Sequence, residues 1–275
     1  MSPDQLSSLP ASVTRRATGN GQGRLIVNAD DWGRDRETTG LISDGIRCGA
    51  VSAVSAMVFM ADSERAAAIA GEHGIAAGLH LNFTTPLSAP GCPARLAESQ
   101  AVLGRHLTRH RLAQVVFSPR LIRQFEYVVT AQIDEFRRLY GADPVRFDGH
   151  HHMHLCANML AQRLLPAGSL VRRNVSLAPG ERSRVNRLYR RLVDRWLARR
   201  HRLVDFFFSL APMAAPNRLS RIIALAREHV VEVEVHPVEP EEYRFLVGGE
   251  LFRRIGDIRL APPPTAAGLP GRAHR

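Results

Sequence analysis

The stretch RLIVNADDWG, residues 24 to 33, decides the fold predicted for this chain. Its apolar run has the composition of a buried strand, and it ends in two adjacent carboxylates, Asp30 and Asp31. By itself, an Asp pair after a strand is more often a turn device or a helix cap than a ligand set. The pair becomes informative only if other strands of the chain also end in polar residues.

Strand-like and helix-like segments alternate through the rest of the chain. Strands are predicted for the β-rich runs at residues 25–29, 51–59, 75–82, 145–150, 203–208 and 230–236. Helices are predicted where apolar residues recur at helical spacing, near residues 37–48, 63–73, 120–140, 183–199 and 217–228. This alternation predicts parallel strands joined by helical crossovers, as in an α/β barrel or a doubly wound sheet.

Length and composition favour one large domain. The 275 residues are 45% hydrophobic, enough for a substantial core, and the folded body is predicted to run from residue 24 to residue 262. The polar residues 1–23 and the Pro- and Gly-rich residues 263–275 are predicted to be flexible tails. Residues 84–119 show neither the strand pattern nor the helix pattern. We expect them to form a long functional loop over one end of the fold.

Cysteine usage and hydropathy predict a cytoplasmic protein. Cys48, Cys92 and Cys156 form an odd set without CxxC spacing, which disfavours a disulfide framework and a cysteine-based zinc site. The first 23 residues contain no apolar stretch typical of a signal peptide. The longest weakly polar run, residues 50–61, is too short to span a bilayer, so no membrane span is expected.

The chain is strongly basic, with a formal net charge of +11, and all 37 of its basic residues are arginine. The densest segment, residues 171–202, carries apolar residues at helical spacing, namely Leu188, Leu192, Val193, Trp196 and Leu197. We interpret it as a core helix with a solvated basic face; a patch for RNA or anionic lipid is the alternative. A nucleic-acid partner is disfavoured because the chain has no recognised nucleic-acid motif and only 6% aromatic residues.

Three further predicted strands also end in polar residues. His80 closes GLH, Asp148 and His150 close FDGH, and His236 closes VEVEVH. Because the carboxyl ends of parallel strands meet on one face, we expect these side chains to meet the Asp pair of the first strand there. One carboxylate and two imidazoles make a ligand set for a divalent cation, with positions left for water and substrate. The remaining carboxylate and imidazole could then serve as base and acid in a hydrolysis.

Two of these segments have alternative interpretations. In DGHHHMH, an extended backbone would place His150, His152 and His154 on one face, so only some of them could reach the site. Glu232 and Glu234 alternate with valines, and a strand at a solvent-facing sheet edge would show the same pattern.

The blocks IVNADDWG, GLHLN, FDGHHHMH and VEVEVHP resemble the four signature blocks of the YdjC/ChbG-like carbohydrate deacetylase family, in the same order and at similar spacing. The resemblance covers about residues 24 to 260. It implies a distorted (β/α) TIM-like barrel of the glycoside hydrolase/deacetylase type, with mostly parallel strands. It also implies a metal-dependent enzyme that removes the acetyl group from an N-acetylated sugar or oligosaccharide by amide hydrolysis.

The family's motifs imply a role for each matched residue. Asp31, His80 and His150 match its metal ligands, Asp30 matches its base, and His236 matches a candidate acid. The resemblance implies one Mg²⁺ ion, whereas two imidazole ligands favour Zn²⁺.

Other matched residues are expected beside the metal. Arg172 falls near a family arginine that faces the site, and Glu232 also fits the family pattern. His152 and His154 are expected to bind substrate or to support the ligands. Glu234 stands where the family usually has an apolar residue, which predicts either an extra acid near the site or a changed strand orientation.

Three other functions are compatible with these residues. The same ligands could support a metal-dependent phosphoesterase. The arginine-rich segment could belong to a nucleic-acid-binding protein, whose affinity would fall steeply with salt. An inactive barrel retained as a binding module is the third, although the intact Asp and His set argues against it. For the deacetylase, the partner is an N-acetylated sugar, and the resemblance implies a homodimer.

Overall fold

A computed structural model describes residues 23–177, 181–211 and 217–264. Within them, seven parallel strands form one curled sheet in the order β5-β4-β3-β2-β1-β7-β6. The strands are β1 (Arg24–Trp32), β2 (Ala53–Ala56), β3 (Ala77–Leu81), β4 (Arg146–Gly149), β5 (Leu170–Val171), β6 (Phe206–Ser209) and β7 (Val230–Val235). The tails predicted for residues 1–23 and 263–275 lie almost wholly outside the described residues.

Helices connect successive strands and cover the outside of the sheet. They are α1 (Arg36–Arg47), α2 (Ser63–His73), α3 (Ala94–Arg109), α4 (Ile122–Tyr140), α5 (Ala157–Gln162), α6 (Arg184–Leu197), α7 (Arg218–Ala226), α8 (Pro240–Val247) and α9 (Glu250–Ile255). Short 3₁₀ segments span Arg111–Gln114, Pro119–Leu121 and His150–Leu155. No helix in the described ranges has both the length and the apolar character that crossing a membrane requires.

Strands β5 and β6 form the two edges of the sheet, and backbone hydrogen bonds cross the gap between them. Val171 N donates to Arg202 O over 2.9 Å, and Ser176 N donates to Phe207 O over 2.7 Å. The sheet therefore curls toward closure as a distorted barrel, and the prediction of a TIM-like (β/α) fold with parallel strands is confirmed.

The period of two along each strand sorts side chains between the barrel interior and the layer under the helices. In β1, Leu25 and Val27 pack into the large core between sheet and helices. Ile26 points the other way, into a small apolar cluster of Ile26, Ala53, Leu170, Val204 and Phe207. Asn28 and Asp30 continue the face of Ile26 toward the carboxyl end of the strand. The interior is thus apolar at one end and polar at the mouth.

The position of β7 decides between the two interpretations of its glutamates. β7 lies between β1 and β6, and Glu232 and Glu234 pair in register with Ile26 and Asn28. Both glutamates are buried. The interpretation of this segment as a strand at a solvent-facing sheet edge is therefore wrong. The side chain of Glu234 points into the barrel without any change in strand orientation.

The prediction of a long loop over residues 84–119 is wrong. Helix α3 occupies sixteen of these residues and packs on α4 through buried side chains that include Leu96, Leu103 and Leu107. The prolines that precede it at positions 86, 90 and 93 concealed its helical spacing, because the rhythm begins only after the last of them. Strand β5 and helices α5, α8 and α9 were also not predicted; β5 has two residues, too few to show a period.

Only part of the apolar side predicted for helix α6 packs against the barrel. Val193 and Leu197 are buried, but Leu188, Leu192 and Trp196 are exposed. The inward face is set by Asp194, whose carboxylate accepts hydrogen bonds from the residues that follow β5, Arg173 and Asn174. The helix is therefore anchored through a polar contact, and most of its apolar spacing is turned outward.

Candidate metal centre

Two adjacent carboxylates can face the same mouth because β1 is irregular at its end. The pairing of β1 with β2 shifts between Ala29 and Trp32, and Asp31 has a φ of 65°. In a regular strand, Asp30 and Asp31 would point to opposite faces. Aspartate is among the residues that tolerate this left-handed backbone, so the irregularity is compatible with the sequence. Both side chains are buried at the carboxyl end of the sheet.

A strained turn after β4 distributes the histidines of DGHHHMH. His151 and His152 have φ values of 55° and 57°, which is unusual for residues that are not glycine. The segment is therefore not extended, and His150, His152 and His154 do not share one face. His150 lies beside Asp31, and His152 Nε2 lies 3.5 Å from Glu234 Oε1.

Three side chains at the mouth place their donor atoms together, and we call Asp31, His80 and His150 the mouth set. Nδ1 of His150 lies 2.9 Å and Nε2 of His80 lies 3.4 Å from Oδ1 of Asp31. All three donor atoms fit within 4.8 Å of one another. Asp31 Oδ1 and His80 Nε2 are both buried. Neither atom has a hydrogen-bond partner in the described part of the chain.

Unpartnered buried polar atoms are costly, and a ligand that satisfies them removes the cost. The mouth set offers one carboxylate oxygen and two imidazole nitrogens converging on one point. A divalent cation with open coordination positions takes this combination of donors. The residues present therefore fit a metal ion.

His80 is held in the orientation that a metal ligand needs. Its Nδ1 donates to Asp148 Oδ1 over 2.7 Å, which leaves Nε2 directed toward Asp31. A carboxylate behind a ligating histidine fixes the tautomer and ring orientation of that histidine. Asp148 was noticed in the sequence at a strand end but was given no role; its place in β4 beside His80 in β3 supplies one.

Arg172 lies at the centre of a second group of charges beneath the mouth set. It binds Asp30 through two hydrogen bonds of 2.6 and 2.8 Å, and Glu232 through one of 2.8 Å. Nη1 also donates to Glu234 over 3.2 Å, and Nη2 lies 3.2 Å from Asp148. We call this group the interior network; its members are Asp30, Asp148, Arg146, Arg172, Glu232 and Glu234.

Arg146 enters the same network from β4 and was not predicted. Its Nη1 lies 3.2 Å from Asp148 Oδ2 and 3.7 Å from Glu232 Oε1. Gly78, the neighbouring residue on β3, makes room for it, because a Cβ at that position would come within 2.6 Å of Arg146 Nε. A glycine at an inward strand position was the available sequence signal.

The charges of the two groups favour an added cation. Five carboxyl groups, those of Asp31 and of the interior network, face the two guanidinium groups of Arg146 and Arg172. Burial raises the pKa of Glu232, which favours its neutral form. Arg34 Nη1 adds a third guanidinium group, 3.1 Å from Asp31 Oδ2, and the carboxyl groups still outnumber the guanidinium groups.

Burial and neighbouring charges also shift the pKa values of Asp30 and His80. Burial raises the pKa of Asp30, but the Arg172 guanidinium outweighs it and lowers this pKa below its usual range. Burial lowers the pKa of His80, but Asp30, Asp148 and Asp31 more than offset that effect and raise the pKa to about 10. The ion-free pocket thus holds a positive charge on His80 where the donor atoms of the mouth set converge.

His236 and His154 have different surroundings. His236 follows the last register pair of β7 with β1, Val235 and Ala29, and so lies at the rim of the mouth. It is partly exposed, and its side chain forms no hydrogen bond with a described residue. His154 is buried, with its Nε2 donating to Arg172 O over 2.9 Å, and burial lowers its pKa to about 3. His154 therefore supports the backbone of Arg172 as a neutral imidazole.

Comparisons with known proteins identify relatives of this chain. Carbohydrate deacetylases from Homo sapiens and Mus musculus are 36% and 35% identical to this chain over 140 residues, 48% of the chain and 41% and 43% of the relatives. Chitooligosaccharide deacetylase from Yersinia pestis (strain Pestoides F) is 31% identical over 134 residues, 48% of the chain and 50% of that protein. The aligned chain thus spans about half the length of the curated relatives it matches.

A solved structure shares the fold over a longer stretch. A proposed cellobiose-phosphate cleavage protein from Enterococcus faecalis V583 superimposes with a TM-score of 0.61 at 20% identity, covering 87% of this chain and 97% of that one. The family model described as "YdjC-like protein" matches residues 24–254, which include every strand and both charged groups. The chain belongs to the YdjC-like protein family.

Proposed function

We propose that this protein is a metal-dependent hydrolase that removes the acetyl group from an N-acetylated sugar or oligosaccharide. The observation that carries the proposal is the mouth set, whose donor atoms converge while Asp31 Oδ1 and His80 Nε2 have no hydrogen-bond partner among the described residues. The relatives named carbohydrate deacetylase and chitooligosaccharide deacetylase supply the class of bond and substrate.

In this proposal Asp31, His80 and His150 hold the ion. When bound, a divalent metal polarises a carbonyl oxygen and acidifies water. Asp148 fixes His80 from behind through its 2.7 Å hydrogen bond. Because the donors come from the carboxyl ends of β1 and β3 and from the residue that follows β4, the ion would lie at the barrel mouth, where substrate can enter.

Asp30 is proposed as the base that takes a proton from the attacking water. Its Oδ2 lies 3.9 Å from His80 Nε2, so it borders the metal position. The paired hydrogen bonds from Arg172 keep the carboxylate ionised and fixed in place, although a lowered pKa also weakens it as a base. His236, at the rim, is proposed to protonate the departing amine, which leaves as the free amino sugar together with acetate.

The identity of the metal is a separate part of the proposal. The family resemblance implies Mg²⁺, whereas two nitrogen donors and one oxygen donor are a set that suits Zn²⁺ better. We place the reaction in a reducing, cytoplasmic compartment, supported by the three free thiols of Cys48, Cys92 and Cys156.

The test is acetate release from a panel of N-acetylated sugars by protein stripped of metal and resupplied with Mg²⁺ or Zn²⁺. We expect metal-dependent acetate release, abolished in His150→Ala and retained in His73→Ala, an exposed histidine at the end of α2. Asp30→Asn is expected to bind metal but to turn over about 10²–10⁴-fold more slowly.

Two results would contradict the proposal. If metal binds stoichiometrically but no sugar releases acetate, the ligand set serves another reaction, and phosphoester substrates become the next panel. If neither metal binding nor activity distinguishes His150→Ala from His73→Ala, the mouth set is not a metal centre.

A further inference from the structure

Helix α6 carries an apolar stripe on the outside of the protein. Val185 is 78% exposed and Leu188 is 57% exposed. The full stripe consists of Val185, Leu188, Tyr189, Leu192 and Trp196, which recur every three or four residues. Residues at this spacing share one side of a helix. Five large exposed apolar side chains in one row are more than scattered surface exposure explains.

The other two sides of α6 have distinct contacts. Val193, Asp194 and Leu197 form its buried side, against the barrel. Arg184, Arg191 and Arg195 lie between the buried side and the stripe, and all are exposed. At 100° per residue, these arginines border the stripe along its length. The helix thus presents one apolar row flanked by one basic row.

The arginines of the basic row form no ion pairs with the described residues. Asp194 is the single acid of α6, and Arg173 and Asn174 occupy its carboxylate. Within the described ranges, Arg184, Arg191 and Arg195 take part in no ion pair. The surface that covers the stripe should therefore be apolar in its interior and negatively charged along its border.

An anionic lipid surface has this combination. Helices with one apolar and one basic face lie in the membrane interface, with apolar side chains at the acyl boundary and basic ones against lipid phosphates. Tryptophan and tyrosine are enriched at that depth, and Trp196 and Tyr189 lie in the stripe. A second copy of the chain fits worse, because pairing two stripes brings two uncompensated arginine rows together. Nucleic acid would satisfy the arginines but leave the apolar row exposed.

We propose that α6 is an interfacial helix that docks this protein on an anionic lipid bilayer. The stripe enters the interface, and Arg184, Arg191 and Arg195 bind headgroup phosphates. Because α6 connects two parallel strands, its first residues lie at the carboxyl end of the sheet. Docking through α6 therefore places the barrel mouth close to the lipid surface. This inference is independent of the reaction proposed above.

The test is co-sedimentation of the full-length protein with vesicles of phosphatidylcholine alone and with 30% phosphatidylglycerol added. We expect binding to the anionic vesicles, weak binding to the neutral ones, and loss of at least about 100-fold in the Leu188→Glu/Leu192→Glu variant. The matched control is Val247→Glu/Phe252→Glu, two exposed apolar residues of α8 and α9. This control should bind like the wild type.

A second pair of variants tests the charge. Arg184→Glu/Arg191→Glu/Arg195→Glu should lower the partition coefficient at least about 100-fold, since each arginine near an anionic surface contributes about fivefold. The control replaces three exposed arginines elsewhere, Arg105, Arg123 and Arg253, by glutamate. The control has the same net charge as the triple variant of α6. An equal loss of vesicle binding in the control would show general electrostatic attraction and overturn the docking role of α6.

Two further outcomes would overturn the proposal. If Leu188→Glu/Leu192→Glu binds vesicles normally but converts a dimer to a monomer in sedimentation velocity, the stripe is a self-association surface. If wild-type protein ignores both vesicles and binds a single-stranded RNA through the same arginines, the occupant is a nucleic acid. Circular dichroism of each variant checks that the fold is retained, and all substituted residues are exposed.

Discussion

The mouth set and the interior network both contain buried carboxylates and touch through His80 and Asp148, yet their hydrogen bonding differs. Arg172 binds several carboxylates of the network at 2.6–3.2 Å. At the mouth, Asp31 Oδ1 and His80 Nε2 have no hydrogen-bond partner among the described residues, although both are buried. One group is satisfied by the fold itself, and the other requires something that the fold does not contain.

The difference follows from where the groups sit in the barrel. The network lies below the mouth, where strands face one another and each side chain can be matched by a neighbour on another strand. The mouth set lies where the strands end. Arg34 and Asp148 satisfy Asp31 Oδ2 and His80 Nδ1, but the two atoms that face each other, Asp31 Oδ1 and His80 Nε2, have no such partner among the described residues. Burial with satisfied bonds favours stability, whereas burial with unsatisfied lone pairs favours binding.

The comparison predicts its largest effect at Arg172. Arg172→Met removes the counter-charge of Asp30 and Glu232 and should lower the free energy of unfolding by about 3–5 kcal/mol. Urea denaturation of metal-free protein measures this loss. The control is Arg173→Met, a partly buried arginine that pairs with Asp194, for which we expect a loss below about 2 kcal/mol. Equal losses would mean that the network is not the stabilising unit inferred here.

The second effect separates binding from stability. Saturating metal at 100 times its dissociation constant should stabilise the wild type by about 2.7 kcal/mol. Asp31→Asn should show no such gain, and its metal-free loss of stability should stay below that of Arg172→Met, since asparagine also tolerates a φ of 65° and keeps the shape of the side chain. Thermal melts with chelator and with Zn²⁺ give both values. A large loss in the metal-free variant would place Asp31 in the network instead.

The smallest effect is a pH dependence from His154. Its pKa is about 3 in the fold against about 6.5 in the unfolded chain, so the unfolded state binds more protons between these values and stability falls as pH falls through this window. The fall from pH 7 to pH 5 should be about 2 kcal/mol, and His154→Gln should remove it. Urea denaturation at both pH values tests this, and identical slopes in the two proteins would refute the assignment.

Sequence patterns were sufficient for the elements whose period spans several residues. The strand beginning at Arg24 and helix α2 were predicted because their apolar spacing persists over nine and eleven residues. Strand β5 was missed because two residues show no period, although Arg172, which follows it, is the centre of the network. Helix α3 was missed because prolines precede it. The turn in the histidine run was not predicted, because a left-handed turn leaves no apolar pattern.

The sequence alone determined that polar residues close parallel strands. The apolar pattern of a strand and the position of its end both depend on a few adjacent residues, so they can be read from the sequence. From this a convergence that includes Asp31, His80 and His150 was predictable, and the resemblance of four sequence blocks separately indicated the family. Tertiary structure decided which partners those residues have: Asp148 behind His80, Arg172 against Asp30, and the outward apolar row of α6. Such partners are set by strand order, by the irregular ends of β1 and β4 and by the anchoring of one helix, and these depend on residues far apart in the chain.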